Sequence, residues 1–235
     1  MPDSRFPTHD LQPLDRPIWN ALTGQQRAVS VGDALARRYL ADIAPFAAIA
    51  DTSAASFAAL GRLISPAIPV AMFTVDPIMP PDGLAVLRRG SVEQMVGSSL
   101  ENPSDVPAPV PLGAADVPAM LELVELTKPG PFGRRTHELG QFLGIRVDGR
   151  LAAIAGERIR LAGFTEITAV CTHPAHRGRG YARTILARLS RAIIARGELP
   201  FLHVFSDNQP AIELYRRAGF GVRRQMHLTV LGKHA

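Results

Sequence analysis

Residues 176–182 read His-Arg-Gly-Arg-Gly-Tyr-Ala, and the reading of this stretch decides how the rest of the chain is understood. It follows a strand-like run, "FTEITAVCT" at 164–172. It opens a helical one, in which Ala182, Ile185, Leu186, Leu189 and Ile193 fall on one face. A strand that enters a glycine-rich turn and then a helix gathers several free backbone N–H groups at one point. The positive end of the helix dipole adds to them, and together they make an anion site. Gly178 and Gly180 let an anion approach the backbone with no Cβ in the way. Arg177, Arg179 and Arg183 supply charge-assisted hydrogen bonds. Such a site suits a pyrophosphate better than a single carboxylate.

Spacing narrows which pyrophosphate. The dinucleotide fingerprint G-x-G-x-x-G fails because Arg183 stands three residues after Gly180, and the P-loop pattern is absent. The pattern R-x-x-G-x-A is met by Arg177, Gly180 and Ala182. With it, the chain resembles the GNAT superfamily of N-acetyltransferases, whose signature is [QR]-x-x-G-x-[GA] between a strand and a helix. Downstream, "FSDNQPAIELYRRAGF" at 205–220 matches that family's closing pattern at Asn208, Tyr215, Gly219 and Phe220. The resemblance covers about residues 112–232. A looser likeness, over 125–145 and the N-terminal hundred residues, is to bacterial relatives of glycine N-acyltransferases, in which the N-terminal half can resemble a degenerate copy of the same fold.

The resemblance implies an α/β fold: a mixed, mostly antiparallel twisted sheet with splayed central strands, flanked by helices. Acetyl-CoA is the implied acyl donor, with no metal. Its pyrophosphate would lie on Arg177, Gly178, Arg179, Gly180, Tyr181 and Ala182, with Arg183 reaching the 3′-phosphate. Val170, Cys171 and Thr172 would meet the pantetheine and thioester, Val170 or Cys171 giving the oxyanion N–H, and Asn208 would cap a helix or touch the pantetheine arm. Glu166, on the preceding strand, is the candidate general base and His137 the competing one; Tyr215 is the candidate general acid. The implied acceptor is a small amine, an amino-acid-like amine or a protein amine, with Arg134 and Arg135 as carriers of a carboxylate preference. A homodimer is the candidate assembly. A CoA-binding module without activity and a nucleic-acid-binding protein are the alternatives.

The remaining chain is read from pattern. A helix is predicted from Ser30 through "SVGDALARRYLADI", a second from Ser53 or Ser56, and a strand at "IPVAMFTV". Prolines at 103, 107, 109 and 111 predict a stiff linker over 101–111. It would separate an accessory N-terminal α/β domain, 1–100, from a catalytic domain, 112–235. Asp116 predicts a helix through Leu126, and Asp148-Gly149 predicts a type I′ hairpin. A helix from Tyr181 to about Arg196, a strand at 201–205, a helix at 209–218 and one or two closing strands follow.

Composition agrees with a folded protein: 46% of the 235 residues are hydrophobic and 20% charged. No apolar run resembles a signal or a membrane span, and the single cysteine excludes an internal disulfide framework, so a cytoplasmic site is expected. The net charge of +5 is uneven. Residues 1–100 hold 8 basic against 9 acidic side chains, residues 101–235 hold 18 against 12, and from Arg177 to Arg196 there are six arginines and no acid. This asymmetry favours an anionic ligand. Cys171, His173 and His176 lie close in sequence, but Pro174 would turn them apart and no second ligand pair follows, so no metal is expected. Neither paired aromatics on a sheet nor a helix-turn-helix supports nucleic acid, and no membrane partner is expected.

Overall fold

The computed structural model describes residues 10–97 and 106–233. It begins with α1 (Pro17–Thr23) and a small antiparallel sheet of β1 (Ser30–Gly32), β2 (Ala36–Tyr39) and β3 (Ala47–Ile49). This hairpin replaces the helix predicted from Ser30. The Asp33 carboxylate accepts hydrogen bonds from the Leu35 and Ala36 N–H groups and turns the chain before a helix can start. All of β2 is then buried, which an amphipathic helix would not allow. α2 (Ala54–Leu63) starts where the serines predicted it, with Ser53 Oγ accepting from the Ser56 N–H. β4 (Val70–Thr74) matches its expectation as well.

β5 (Ala85–Gly97) was not legible in the sequence, because Arg88, Arg89 and Gly90 interrupt any apolar alternation. The chain then runs through β6 (Val110–Leu112), α3 (Val117–Thr127), β7 (Phe142–Val147), β8 (Arg150–Leu161), β9 (Phe164–Thr172), α4 (Tyr181–Ala195), β10 (Leu199–Phe205), α5 (Gln209–Arg217) and β11 (Phe220–Gly232). The β7–β8 hairpin turns at Asp148 and Gly149, with φ of 49° and 79°, as a type I′ turn requires.

One eight-stranded sheet has the order β4-β11-β5-β10-β9-β8-β7-β6. Every neighbouring pair is antiparallel except β9 and β10. β5 sits between β10 and β11, so residues on both sides of the expected boundary at 100 form one sheet. The accessory unit is corrected accordingly: residues 70–97 belong to the main layer. Of the expected linker, 101–105 lie outside the described residues, and its far end is the strand β6. On one face the sheet packs against α4 and α5 through Ile185, Leu189, Ile212 and Tyr215. On the other, Leu14, Ile18 and Leu22 meet Ile159, Phe164, Phe201 and Met226, while α3 covers Ile154. Burial of these apolar side chains is the main driving force for bringing residues 11–49 onto the sheet.

Candidate active site

β9 and β10 pair only over Phe164–Glu166 and Leu199–Phe201. Beyond that point β9 runs on to Thr172, while β10 is paired on its other side with β5. Strands that part in this way leave backbone hydrogen-bonding groups without sheet partners. A bulge sharpens the opening. The register with β8 passes from Gly156↔Thr168 to Ile154↔Cys171, leaving Ala169 and Val170 unmatched, and Ala169 takes φ of 52°. A non-glycine residue in the left-handed region costs on the order of 1 kcal/mol, and such strain collects at functional sites. The bulge also reverses the alternation of side chains. Val170 packs with Ile167 beside α4, whereas Ala169 and Cys171 face α3. The expectation that Glu166, Thr168 and Val170 share a face is therefore corrected.

A cleft of about 1060 Å³ opens at this fork. Val170, Cys171, Thr172, Arg177, Gly178, Arg179, Gly180, Tyr181, Ala182, Arg183, Asn208 and Tyr215 all line it, which brings together the predicted cofactor-binding residues and the candidate acid but not Glu166, His137, Arg134 or Arg135. Gly178 and Gly180 hold φ of 77° and 80°, and Gly180 is the N-cap of α4 without any side-chain cap. Among the described residues, the backbone N–H groups of 178–183 donate to no protein acceptor. A Cβ on Gly178 would meet open space. Free N–H groups at the start of a fifteen-residue helix, flanked by arginines, fit a diphosphate. Asn208 caps α5, its Oδ1 accepting from the Ala211 N–H at 3.2 Å. His176 also lines the cleft with a buried, unpartnered Nδ1, a feature the sequence pattern did not single out.

Tyr215 is 8% exposed and edge-on to Phe220, and its hydroxyl hydrogen-bonds to no described residue. Burial, and then the neighbouring Cys171, push its pKa well above the usual phenol range. Burial likewise raises the Cys171 thiol to about 11, against the lowering effect of Thr127.

Glu166 stands outside the cleft lining, beneath Arg158 and His203. Its carboxylate accepts from Arg158 Nε and Nη2 at 2.8 and 2.9 Å and makes a 2.8 Å contact with His203 Nδ1. Burial alone would raise its pKa. The Arg158 guanidinium and the His203 hydrogen bond overcome that and hold it at about 2. A fully buried carboxylate spent on two partners and outside the cleft lining is a poor proton acceptor, a placement that does not support the general base expected at Glu166. His137 does not line the cleft; its Nδ1 sits 3.1 Å from the Arg134 carbonyl. Arg134 and Arg135 do not line it either, and Arg135 pairs with Asp42 and Glu138. The polar residues that sequence reasoning missed are Arg158 and His203, each carried in a strand with no motif around it. Among the described residues no cluster of His, Cys, Asp and Glu is placed to hold a metal, and no helix is long and apolar enough to cross a membrane.

Residues 142–228 match the FR47-like protein family. The N-alpha-acetyltransferase RimI of Mycobacterium tuberculosis is 36% identical over 94 residues, which is 37% of this chain. The match spans 57% of the length of that curated relative. A solved structure from the GNAT acetyltransferase family, from Novosphingobium aromaticivorans, is 40% identical with a TM-score of 0.88. It covers 95% of this chain and 100% of its own. A GCN5-related N-acetyltransferase from Kribbella flavida shares the fold at 19% identity, with a TM-score of 0.61 over 93% and 94% of the two chains. Identity of 40% over nearly the whole length with the Novosphingobium aromaticivorans structure settles the kinship: the chain belongs to the GNAT family of acetyltransferases.

Proposed function

We propose that the protein moves an acetyl group from acetyl-CoA to a primary amine by direct transfer, with both substrates bound together. One observation carries the reading. A single cleft runs from the glycine loop, through the fork between β9 and β10, to residues on the opposite face of the sheet. A thioester entering from the loop side and an amine from the other side meet without a covalent enzyme intermediate. The high pKa of Cys171, about 11, supports this, because a protonated thiol is a weak nucleophile.

In this reading the N–H groups of 178–183 take the pyrophosphate, with Arg177, Arg179 and Arg183 around it. The backbone N–H of Val170 or Cys171, in the part of β9 that β10 leaves, polarises the thioester carbonyl. No carboxylate lines the cleft among the described residues, so the ammonium gives its proton to water. The amine nitrogen then bonds to the carbonyl carbon and gives up its second proton to water, the C–S bond breaks, and the departing thiolate takes the Tyr215 proton, which water restores. The RimI likeness keeps a protein α-amine among the acceptors to be considered. We place the reaction in the cytoplasm.

Calorimetric titration tests the reading, with acetyl-CoA, dephospho-CoA and a short DNA duplex as titrants. Micromolar acetyl-CoA binding, weakened without the 3′-phosphate, is expected. Absence of acetyl-CoA binding by folded protein rejects the reading, and duplex binding alone returns the nucleic-acid alternative. Binding without any amine-dependent CoA release would leave a CoA-binding module.

A further inference from the structure

The far half of the cleft lies on the face covered by the N-terminal segment. Its apolar wall includes Phe46, Phe73 and Phe205, and its polar groups are Arg158, His203 and, at an exposed position, Arg88. No aspartate or glutamate lines it among the described residues, while arginines do. A polyamine or a lysine-bearing acceptor brings uncompensated positive charge, and such a wall repels it. A zwitterion carries its own counter-charge.

Arg158 determines where that counter-charge goes. It is 6% exposed, and its guanidinium lies 4.5 Å above the Phe46 ring. Glu166 occupies the side of the guanidinium formed by Nε and Nη2. Guanidinium carries five donors in a planar fork, and its end-on edge, Nη1 with the second hydrogen of Nη2, matches a second carboxylate. Nη1 has no acceptor among the described residues, and Arg158 lines the cleft. The Glu166 pair keeps the fork from turning. His203, which contacts Glu166 at 2.8 Å, stacks at 4.4 Å on Phe73 and ties this anchor to the aromatic wall.

Resting on the transferase reading above, we infer that the acceptor is a free α-amino acid with an apolar or aromatic side chain. Its carboxylate is held end-on by Arg158 and its side chain lies among Phe46, Phe73 and Phe205. A peptide N-terminus has an amide where the carboxylate should be and leaves the Arg158 edge unpaired.

The test follows CoA release by the full chain with L-phenylalanine and L-leucine. The comparators are L-phenylalaninamide, phenethylamine, spermidine and a peptide with N-terminal phenylalanine. The free amino acids should exceed the carboxylate-free comparators in kcat/KM by about 100-fold, the scale of losing one buried charge pairing. Arg158→Lys keeps a cation for Glu166 but loses the end-on edge. It should raise KM for the amino acid by about tenfold or more and leave acetyl-CoA affinity, read by calorimetry, unchanged. Equal or better use of the amide, the amine or the peptide overturns the inference, as does failure of every amino acid in protein that binds acetyl-CoA. Failure to bind acetyl-CoA at all would instead remove the transferase reading beneath it.

Discussion

Glu166 on β9 and Tyr215 on α5 are treated in opposite ways by their surroundings. Glu166 is ionised and paired, so Glu166→Gln strands the buried Arg158 charge and should cost about 3 kcal/mol. The sign of its pH dependence follows from the lowered pKa. A carboxyl at 4.5 when unfolded and about 2 when folded stabilises the protein fully above 4.5, and that contribution fades as pH falls toward 2. Thermal melts across this window should show wild type losing its advantage over Glu166→Gln on acidification; parallel curves would reject the pairing. Tyr215 keeps its proton because burial opposes the phenolate. Tyr215→Phe should lower kcat by about 100-fold with acetyl-CoA affinity intact, and an unchanged kcat would remove it as the acid. Both residues were legible as special, through the family pattern. The role of Glu166 was not, since its partner Arg158 reaches it across a hairpin whose bulges the pattern does not encode.

At the scale of elements, the start of α4 carries the cofactor argument. Gly180→Glu puts a carboxylate at the N-cap, among N–H groups that are free for a diphosphate. A Cβ there meets only Val106 Cγ2 at 3.4 Å, and φ of 80° strains any side chain by on the order of 1 kcal/mol, so the variant should be slightly less stable but folded, and it should show no calorimetric heat with acetyl-CoA. Micromolar binding by the folded variant would mean that the loop holds something else. The α4 helix was readable because its signals are local: two glycines, an amphipathic repeat, and Gly197, whose N–H with that of Glu198 closes the last turn onto Ile194 and Ile193. β5 was unreadable for the opposite reason. Its pairing with β10 and β11 spans more than a hundred residues, and its arginine-rich half is exposed at Val86–Arg89. Strand propensity there is overridden by tertiary position.

The whole molecule is joined across the proline-rich stretch. Residues 106–233 expressed alone lack β4 and β5, so β10 and β11 would face each other with an empty lane between them. The fragment should lack a cooperative thermal transition, and a sharp, reversible melt would restore two independent domains. The N-terminal segment also contributes Phe46, Phe73 and Arg88 to the cleft, so truncation removes part of the cleft wall as well as the sheet. From sequence alone came the glycine loop, the α4 helix, the hairpin at Asp148-Gly149 and the family, because each rests on short stretches of neighbouring residues. Tertiary structure alone decided the single sheet, the bulge at Ala169, the Arg158–Glu166–His203 group and the far wall of the cleft. These depend on which strands lie side by side and on which charges are buried together. Local spacing carries no record of either.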